Sequence, residues 1–553
     1  MKKYFILILV TSVITALIVV FVTKDQGITT HHIKAAEEII GIEFSPAERK
    51  MMLDALKRNH NAYHHLRTIN IANQIPLSLL FNPLTPLNKP PAQDKKSFHP
   101  ELNDVHLPEN FEQLAFYPVS HLSQLIKQRK ITSTQLTRLY LKRLKTYGPQ
   151  LKCVITLTEE RAMEQAKRAD KEISSGIYKG PLHGIPWGAK DLLSTKGIKT
   201  TWGAMPYKDQ VFDQDATVVQ KCEQAGAVLV AKLSMGALAM GDVWFKGKTR
   251  NPWNPEQGSS GSSAGSAAAT AAGLVGFSIG TETLGSIISP CTRCGVTGLR
   301  PTYGRVSRYG AMALSWSMDK IGPICRTVQD CALVFNAIYG PDGKDLSVHH
   351  YPFNWEPDTD LKHLRIGYLK KEFQKEYENK DNDSNSLQTL KNMGVQLIPF
   401  ELPDLPIQSM RFILISEAAA AFDQLTRSGQ DELLVRQSKW AWPNSFRQAR
   451  FIPAVEYIQA NRLRQILMRE MADKMKKIDV YIAPTSSGNN LLLTNLTGHP
   501  AVVIPNGFNK QGTPTSITLV GSLFEEGNLL RIAKALQDSF DFQNKHPDLS
   551  KLD

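Results

Sequence analysis

The amino-acid sequence predicts a layered α/β fold. Segments typical of strands and of helices alternate from Tyr117 onward, hydrophobic residues make up 42% of the 553 residues, and the sequence shows no internal repeat. Alternation of the two element types is typical of a sheet packed against helices. The length and composition are sufficient for one large domain with a sizeable core.

The predicted elements follow in order along this region. Leucines at helical spacing, starting at Ser133, predict a helix that runs through Tyr147. Short apolar runs such as AVLVA are typical of buried strands. The charged stretch KKEFQKEYENKDNDSNS, residues 370–386, is predicted to be a solvated surface. The remaining predicted strands are Val154–Thr158, Ala227–Ala231, Leu364–Tyr368, Val395–Phe400, Asp479–Ala483 and Ala501–Pro505, and the remaining helices are Glu159–Ser174, Asp330–Ile338 and Asn528–Asp538.

The N-terminus predicts a membrane or export segment over residues 1–23. Lys2 and Lys3 precede an uncharged, mostly apolar run, Tyr4–Val22, that Lys24 closes. The length of this run is near that of a membrane-spanning helix, and no A-x-A cleavage site follows it. We therefore expect a signal anchor, with a cleaved signal peptide as the alternative. The lysines would remain cytoplasmic, so the body would be exported to the cell envelope, either anchored or secreted.

Residues 24–110 are predicted to be an N-terminal connector. Residues 24–44 form a polar linker, and Ser45, Pro46 and Glu48 then supply the N-cap, first-turn proline and capping-box glutamate of one amphipathic helix. A proline-rich stretch, Asn82–Pro91, continues the connector as extended chain.

Charge and metal-ligand patterns exclude several function classes. The formal net charge is +13, but lysines and arginines are scattered, so no nucleic-acid partner is expected. His60 and His64 lie four residues apart on one predicted helix without a third ligand, which favours a solvated face over a metal site. Cys291 and Cys294 form a lone C-x-x-C, which favours buried free thiols.

A stretch rich in small residues, EQGSSGSSAGSAAATAAG, starts at Glu256. Its alanine-rich second half favours helix, so Gly258–Gly265 is predicted to be a tight loop leading into a helix N-terminus. Backbone N–H groups at such a place bind a phosphate or stabilise an oxyanion. The lysine of a phosphate-binding G-x-x-x-x-G-K-[ST] loop is missing, which favours the oxyanion.

An oxyanion site also needs a nucleophile and a base, and Lys190 is the candidate base. Its neighbours Leu192 and Leu193 indicate partial burial, and burial lowers the pKa of a lysine until its amine can accept a proton. The alternative is a surface lysine paired with the adjacent Asp191. These residues alone leave both interpretations open.

Several segments carry a resemblance to a known family. Lys190–Asp191, GSSAGSAAATAAGL (residues 261–274), GTETLGSI (residues 280–287) and CGVTGLRPTYGRVSRYG (residues 294–310) closely resemble the amidase signature family, as does NLTGHPAVVIPNGF near the end. The resemblance implies a single catalytic domain, residues 111–545, with a central mixed sheet covered by helices on both sides.

The resemblance also implies a Ser–cis-Ser–Lys triad that needs neither metal nor cofactor. Lys190 corresponds to the base, Ser262 to the bridging serine after a cis Gly261–Ser262 bond, and Ser286 to the nucleophile. The implied oxyanion hole consists of the backbone N–H groups of Thr283, Leu284, Gly285 and Ser286, and the implied supporting residues are Ser263, Glu282 and Asp191.

The sequence departs from the family pattern around the nucleophile. Leu284 replaces a glycine and would be strained if the loop required a positive φ there. Ile288 replaces an arginine, which leaves Glu282 without its expected partner; Arg293 is the nearest substitute. Ala264 replaces a further glycine. Trp440 and Trp442 lie in a segment that in the family helps to form the substrate pocket, although burial in the core is the commoner role of such rings.

The resemblance implies hydrolysis of a carboxylic amide, on a small molecule or a peptide, to an acid and an amine or ammonia. A non-catalytic binding protein on the same scaffold and an A-type subunit of the tRNA-dependent amidotransferase are the alternatives, and the export segment argues against the latter. The membrane, through residues 1–23, and a second copy of the chain are the other partners considered.

Overall fold

The computed structural model describes residues 27–88, 90, 94–96, 105–357 and 360–552. These residues form two compact units. One consists of the described residues up to Ala72 together with Arg450–Ala454, and the other of the rest. The predicted anchor, residues 1–23, lies outside the described residues, and in the parts of the chain that are described no helix has the length and apolar character to cross a membrane.

The first unit contains helices α1 (Thr30–Ile40) and α2 (Pro46–Arg67). The capping box at the start of α2 is confirmed, because the Ser45 hydroxyl accepts from the Glu48 N–H at 3.3 Å and the Glu48 carboxylate accepts from the Ser45 N–H at 2.6 Å. Helix α1 occupies much of the predicted polar linker. Arg49 binds both carboxylate oxygens of Glu37, and this partly buried ion pair joins α1 to α2.

The second unit is built on one mixed sheet, which confirms the predicted α/β class. The strands are β1 (Val154–Leu157), β2 (Pro186–Lys190), β3 (Val228–Leu233), β4 (Val243–Trp244), β5 (Gly247–Lys248), β6 (Arg250–Asn251), β7 (Asn254–Gly258), β8 (Phe277–Glu282), β9 (Thr297–Arg300), β10 (Lys320–Cys325), β11 (Ile366–Tyr368), β12 (Leu397–Pro399), β13 (Val480–Pro484), β14 (Ala501–Phe508) and β15 (Pro514–Gly521). Eleven of them form the mixed sheet in the order β1-β3-β2-β8-β10-β9-β14-β15-β13-β11-β12, whereas β4 pairs with β5 and β6 pairs with β7 outside it. In the mixed sheet, β2 runs parallel to β3 and β8, β11 runs parallel to β12 and β13, and the other pairs are antiparallel.

Both faces of the central strands are covered. Every residue of β2, β3, β8 and β10 is buried, which requires a layer on each side of the sheet. The helices of this unit are α3 (Val119–Lys127), α4 (Ser133–Leu151), α5 (Glu159–Ser174), α6 (Thr217–Gln224), α7 (Ala264–Ala271), α8 (Ile288–Cys294), α9 (Val328–Ile338), α10 (Lys370–Phe373), α11 (Lys380–Asn392), α12 (Phe412–Ala421), α13 (Asp423–Arg427), α14 (Trp442–Ala449), α15 (Ala454–Met475), α16 (Asn490–Thr497) and α17 (Glu526–Asp538).

The charged stretch 370–386 differs from its prediction. It forms α10 and the first half of α11 rather than an entirely solvated surface. Asp383 and Ser386 are buried, because the Asn506 side-chain amide donates to the Asp383 carboxylate at 2.8 Å and to the Ser386 hydroxyl at 3.2 Å. A partner from β14 thus makes it possible to bury side chains that composition alone assigns to solvent.

The sheet brings two strand ends together. Strands β2 and β8 are parallel neighbours, with Ala189 opposite Ile279, and they end at Lys190 and Glu282. Because parallel strands end at the same edge of a sheet, residues that follow one strand lie beside residues that follow the other. Helix α7 lies between these strands in sequence, so its preceding loop reaches the same edge.

Candidate active site

Lys190, the last residue of β2, is completely buried. Its Nζ lies 2.8 Å from the Ser262 Oγ, 3.0 Å from the Ser263 Oγ and 2.8 Å from the Thr281 Oγ1. Burial lowers the pKa of this amine to about 7, although the negative charges of Asp319 and Glu282 oppose the shift. The alternative of a surface lysine is therefore wrong, and near neutral pH a substantial fraction of the amine is uncharged.

Asp191 makes a different contact. Its carboxylate lies 3.1 Å from the Lys232 Nζ, and both side chains are completely buried. The Thr201 backbone N–H and hydroxyl also donate to it, at 2.7 and 2.5 Å. Asp191 therefore fixes the chain just after β2 through Lys232 and Thr201 and is not the partner of Lys190.

The hydrogen bonds of the two adjacent serines distinguish their roles. The Ser263 hydroxyl donates to the Thr281 carbonyl at 3.0 Å and accepts from the Thr281 N–H at 3.1 Å, so its proton is already committed. Among the described residues, the Ser262 hydroxyl contacts only Lys190. Ser262 is thus the serine whose proton is free to move to the uncharged amine, while Ser263 holds Lys190 against β8.

Close backbone approach explains the many small residues of the serine-rich loop. The loop leads into α7 as predicted, and the Gly261–Ser262 bond is cis. A Cβ at Gly261 would lie 1.9 Å from the Gly241 carbonyl oxygen, and one at Gly265 would lie 2.4 Å from the Cys153 carbonyl oxygen. Any side chain at either glycine would collide with backbone, so the composition follows from packing as well as from chemistry.

Ser286 lies in the turn between β8 and α8. It is 7% exposed, and its carbonyl accepts from the Ser263 N–H at 3.1 Å, which ties the turn to the serine-rich loop. In the described part of the chain, the backbone N–H groups of residues 283–286 have no hydrogen-bond acceptor. The left-handed conformation falls on Gly285, with φ 84°, and not on Leu284, so leucine at that position carries no backbone strain.

Glu282 stabilises the turn between β8 and α8 through hydrogen bonds to its backbone. Its carboxylate accepts from the Ile287 and Ile288 N–H groups at 2.9 and 3.0 Å. Burial alone would raise the pKa of the carboxyl, but the Arg300 guanidinium, 2.8 Å away, and the other donors lower it to about 2. Arg300, completely buried on β9, replaces the missing arginine; the expectation of Arg293 is wrong, because Arg293 is exposed on α8.

A cavity of about 150 Å³ opens beside these residues and includes Thr281 and Thr283 in its wall. Asp319 lines it and accepts from the Thr283 hydroxyl at 2.5 Å. Of the two tryptophans, Trp440 is 74% exposed, whereas Trp442 is buried and donates to the Leu238 carbonyl at 2.8 Å, next to Ala239 in the cavity wall. Trp442 therefore supports the wall, and Trp440 is a surface residue.

Other candidate ligands are not assembled into a site. His60 and His64 contact each other edge to face, and no cluster of three His, Cys, Asp or Glu side chains that could hold a metal occurs among the residues that the structure describes. All six cysteines are buried and free. The buried thiols agree with the expectation from the sequence.

Comparison with known proteins places this geometry in a family. A family model described as Amidase matches residues 135–494. This chain belongs to the amidase signature family. The A-type subunit of the glutamyl-tRNA(Gln) amidotransferase of Acinetobacter baumannii strain AYE is 33% identical over 483 residues, covering 78% of this chain and 98% of the relative.

Solved structures of two amidase relatives share the fold. The native peptide amidase from Stenotrophomonas maltophilia is 26% identical with a TM-score of 0.70, covering 78% of this chain and 98% of that one. The A-type subunit of the glutamyl-tRNA(Gln) amidotransferase from Thermotoga maritima is 26% identical with a TM-score of 0.66, covering 80% and 99%. The chain is accordingly an enzyme that hydrolyses amides.

Several residues of this amidase site are not predicted by the sequence motifs. Thr281 contacts Lys190, Asp319 contacts Thr283, and Arg300 neutralises Glu282. Thr281 lies within the GTETLGSI motif. Side chains alternate between the two faces of a strand, so Thr281 and Glu282 lie on opposite faces of β8, and this alternation could have identified Thr281 from the sequence. Arg300 lies within the CGVTGLRPTYGRVSRYG segment, but its partner Glu282 is identified only once β9 and β8 are brought together across β10. Asp319 lies in none of the quoted segments and reaches Thr283 from the position just before β10.

Proposed function

We propose that this amidase hydrolyses a carboxylic amide through Lys190, Ser262 and Ser286 and forms an acyl-enzyme. The observation that carries the proposal is the buried Lys190 amine, whose pKa is lowered to about 7, at 2.8 Å from a serine hydroxyl that has no competing partner among the described residues. The reaction needs neither metal nor cofactor in this scheme.

Acylation begins with two proton transfers. Lys190 accepts a proton from Ser262, and Ser262 takes one from Ser286 as the Ser286 Oγ attacks the amide carbon. The carbonyl oxygen becomes negative and is stabilised by backbone N–H groups of residues 283–286, each worth about 3 kcal/mol in the transition state. The left-handed conformation of Gly285 allows the tight turn that the proposal requires if successive N–H groups are to bind one oxyanion.

The intermediate then collapses. The C–N bond breaks, and Ser262 passes the proton held by Lys190 to the departing nitrogen, which leaves as an amine or as ammonia. Water attacks the acyl-enzyme by the same relay and releases the acid. The Lys190 side chain returns to its uncharged state after each half-reaction, so the free enzyme is regenerated after each turnover.

A covalent probe tests the nucleophile. A fluorophosphonate should label the natural chain on Ser286, and the Ser286→Ala variant should neither be labelled nor hydrolyse an aryl amide. Ser289→Ala, one turn along in α8, is the matched control and should keep both properties. Labelling that persists in Ser286→Ala would refute the assignment.

A second candidate is an A-type subunit of a tRNA-dependent amidotransferase, and the names of the curated relatives support it more directly. The relative from Acinetobacter baumannii carries that name and matches over 98% of its own length. Such a protein would take nitrogen from a donor amide such as free glutamine. Ammonia release from glutamine by the purified chain, with little hydrolysis of aryl acyl amides or C-terminal peptide amides, would favour this candidate.

The cellular location of the enzyme distinguishes the exported amidase from the amidotransferase subunit. Residues 1–23 are proposed to anchor it in the cell envelope or to direct its secretion, whereas charged tRNA is cytoplasmic. Fractionation of cells should recover the chain in the membrane or exported fraction under the main proposal. Recovery in the cytosol would favour the amidotransferase. The oligomeric state is a separate question, and size-exclusion chromatography of the purified chain would reveal a homodimer.

A further inference from the structure

One wall of the cavity beside the active site comes from a segment outside the range that the family model matches. Residues 73–81, the strap, precede that range of 135–494, yet strap residues Gln74, Pro76, Leu77, Ser78 and Leu80 line the cavity. The rest of the wall includes Leu192, Met312, Leu314 and Ile321, and the cavity reaches the site at Thr281 and Thr283. The strap therefore shares a largely apolar cavity with Thr281, whose hydroxyl contacts Lys190.

The strap is fixed at both ends. At its start, the Asn73 side chain donates to the Ala313 carbonyl at 2.9 Å and to the Ala421 carbonyl at 3.2 Å and accepts from the Ala313 N–H at 2.8 Å. At its end, the Arg464 guanidinium lies 3.6 Å from the centre of the Phe81 ring, whose edge packs on Tyr303. With both ends held, the residues between them form a defined wall.

The charged side chains of the cavity wall, Arg308, Asp319, Lys320, Lys344 and Asp345, already have contacts within the protein. Lys320 donates to the Met318 carbonyl, and the Lys344 Nζ lies 4.6 Å from the centre of the Tyr309 ring. Asp319 accepts from the Thr283 hydroxyl and from the Leu314 and Ser315 N–H groups. Arg308 binds Asp345 at 3.1 Å and the Trp316 carbonyl at 2.6 Å. The leucines of the strap and the wall residues Leu192, Met312, Leu314 and Ile321 consequently supply the apolar surface that an occupant would contact. A polar group buried against that surface would lose its hydration without a hydrogen bond in return.

We infer that this cavity binds an apolar substituent of the amide substrate and that Leu77 and Leu80 of the strap select for it. The inference rests on the proposed function and names its substrate class, an amide with an alkyl or aryl group on the carbonyl or on the nitrogen. Each buried methylene is worth about 0.8 kcal/mol, so each added methylene should raise kcat/KM about four-fold until the cavity is filled.

Two substrate series test the inference and distinguish the two positions of the substituent. One varies the acyl chain of p-nitroanilides from acetyl to hexanoyl, and the other varies the amine of N-alkyl acetamides from methyl to hexyl. The natural chain should show the rise in one series. Leu77→Asn and Leu80→Asn should lower the ratio of kcat/KM between the longest and the shortest member of that series at least ten-fold.

Leu79 provides the matched control. It lies in the same strap but is 85% exposed and does not line the cavity, whereas Leu77 and Leu80 are 39% and 44% exposed and do. Leu79→Asn should therefore behave as the natural chain in both series. Equal kcat/KM for short and long members, or the same loss in Leu79→Asn as in Leu77→Asn, would overturn the inference.

A binding measurement separates failure of the inference from failure of the proposed function. Ser286→Ala keeps the cavity but lacks the nucleophile, so the Kd values of acetamide, hexanamide and N-hexyl acetamide can be measured by ligand-observed NMR without turnover. One of the two long amides should bind at least ten-fold more tightly than acetamide, and Leu80→Asn should abolish the difference. Preferential binding without hydrolysis by the natural chain would refute only the triad, and hydrolysis without preferential binding would refute only the strap.

Discussion

In the proposed mechanism, the protonation of Lys190 determines when the site can react. Only the uncharged amine accepts a proton, and its pKa of about 7 lies within the working range of most enzymes. We expect kcat/KM to rise with pH through a midpoint near 7 and to level off above 8, as measured in a pH profile with an uncharged aryl amide. Lys190→Arg should be inactive throughout, because a guanidinium stays charged. A profile that falls between pH 6 and 8 would contradict the role of Lys190 as base.

The adjacent serines should respond differently to the same substitution. Ser262→Ala removes the proton relay and should lower kcat by about 10³-fold. Ser263→Ala leaves the relay but deprives the buried Thr281 N–H of its acceptor, which costs about 1–3 kcal/mol in stability. We therefore expect its defect to appear mainly in Tm, with a much smaller loss of kcat. Equal losses of kcat in the two variants would show that the hydrogen bonds do not separate their roles.

At the scale of elements, the site depends on the ends of β2 and β8 and on the turn that follows β8. Glu282 fixes that turn because its two carboxylate oxygens hold the start of α8 on one side and Arg300 and Asn495 on the other. A buried carboxylate paired in this way also contributes to stability, and the contribution depends on pH.

The pKa of Glu282 sets the range of that dependence. Its value is lowered from 4.5 to about 2 in the folded chain, so the contribution is fully present above pH 4.5 and is lost as the pH falls towards 2. The shift corresponds to about 3 kcal/mol. Glu282→Gln should lower Tm strongly at pH 7, and the difference from the natural chain should shrink below pH 4.5. Glu401→Gln, which breaks an exposed pair with Lys371, is the control and should leave Tm unchanged at both pH values.

The success of sequence-based prediction also differs between elements. The helix predicted at Glu159–Ser174 has the same bounds in the structure, and the strand predicted at Ala501–Pro505 extends to Phe508, because strong local patterns carry these elements. Helix α1 is not predicted, since half of the residues in its HHIKAAEEII segment are polar or charged and the burial of Glu37 depends on its pairing with Arg49. Local composition cannot reveal a partner that lies elsewhere in the chain.

At the scale of the whole molecule, the fold converts distant motifs into one site. Lys190, Ser262 and Ser286 come from three separate segments, and their sequence motifs are sufficient to nominate each of them. Arg300 and Asp319 are not predictable in the same way, because only the strand order β8-β10-β9 brings them to Glu282 and Thr283. Sequence motifs thus nominate the groups that are proposed to react, whereas the positions of the side chains that contact those groups depend on the topology of the sheet.

The division of the chain into two units gives a prediction at this scale. All proposed catalytic residues and the strap lie in the unit that begins at Asn73. A chain shortened to start at Asn73 should therefore retain its kcat/KM for acyl p-nitroanilides, as measured beside the full chain. A chain shortened to start at Pro83 loses Asn73 and Phe81, and the Arg464 guanidinium loses a ring contact worth roughly 2 kcal/mol.

The two shortened chains should differ in both stability and selectivity. The chain from Pro83 should have a lower Tm than the chain from Asn73, and it should lose the preference for long apolar substituents because one wall of the cavity is missing. If both chains hydrolyse short and long amides alike and melt together, then the strap neither stabilises the fold nor shapes the cavity. If the chain from Asn73 is already inactive, then the first unit contributes to catalysis, which the placement of the catalytic residues does not predict.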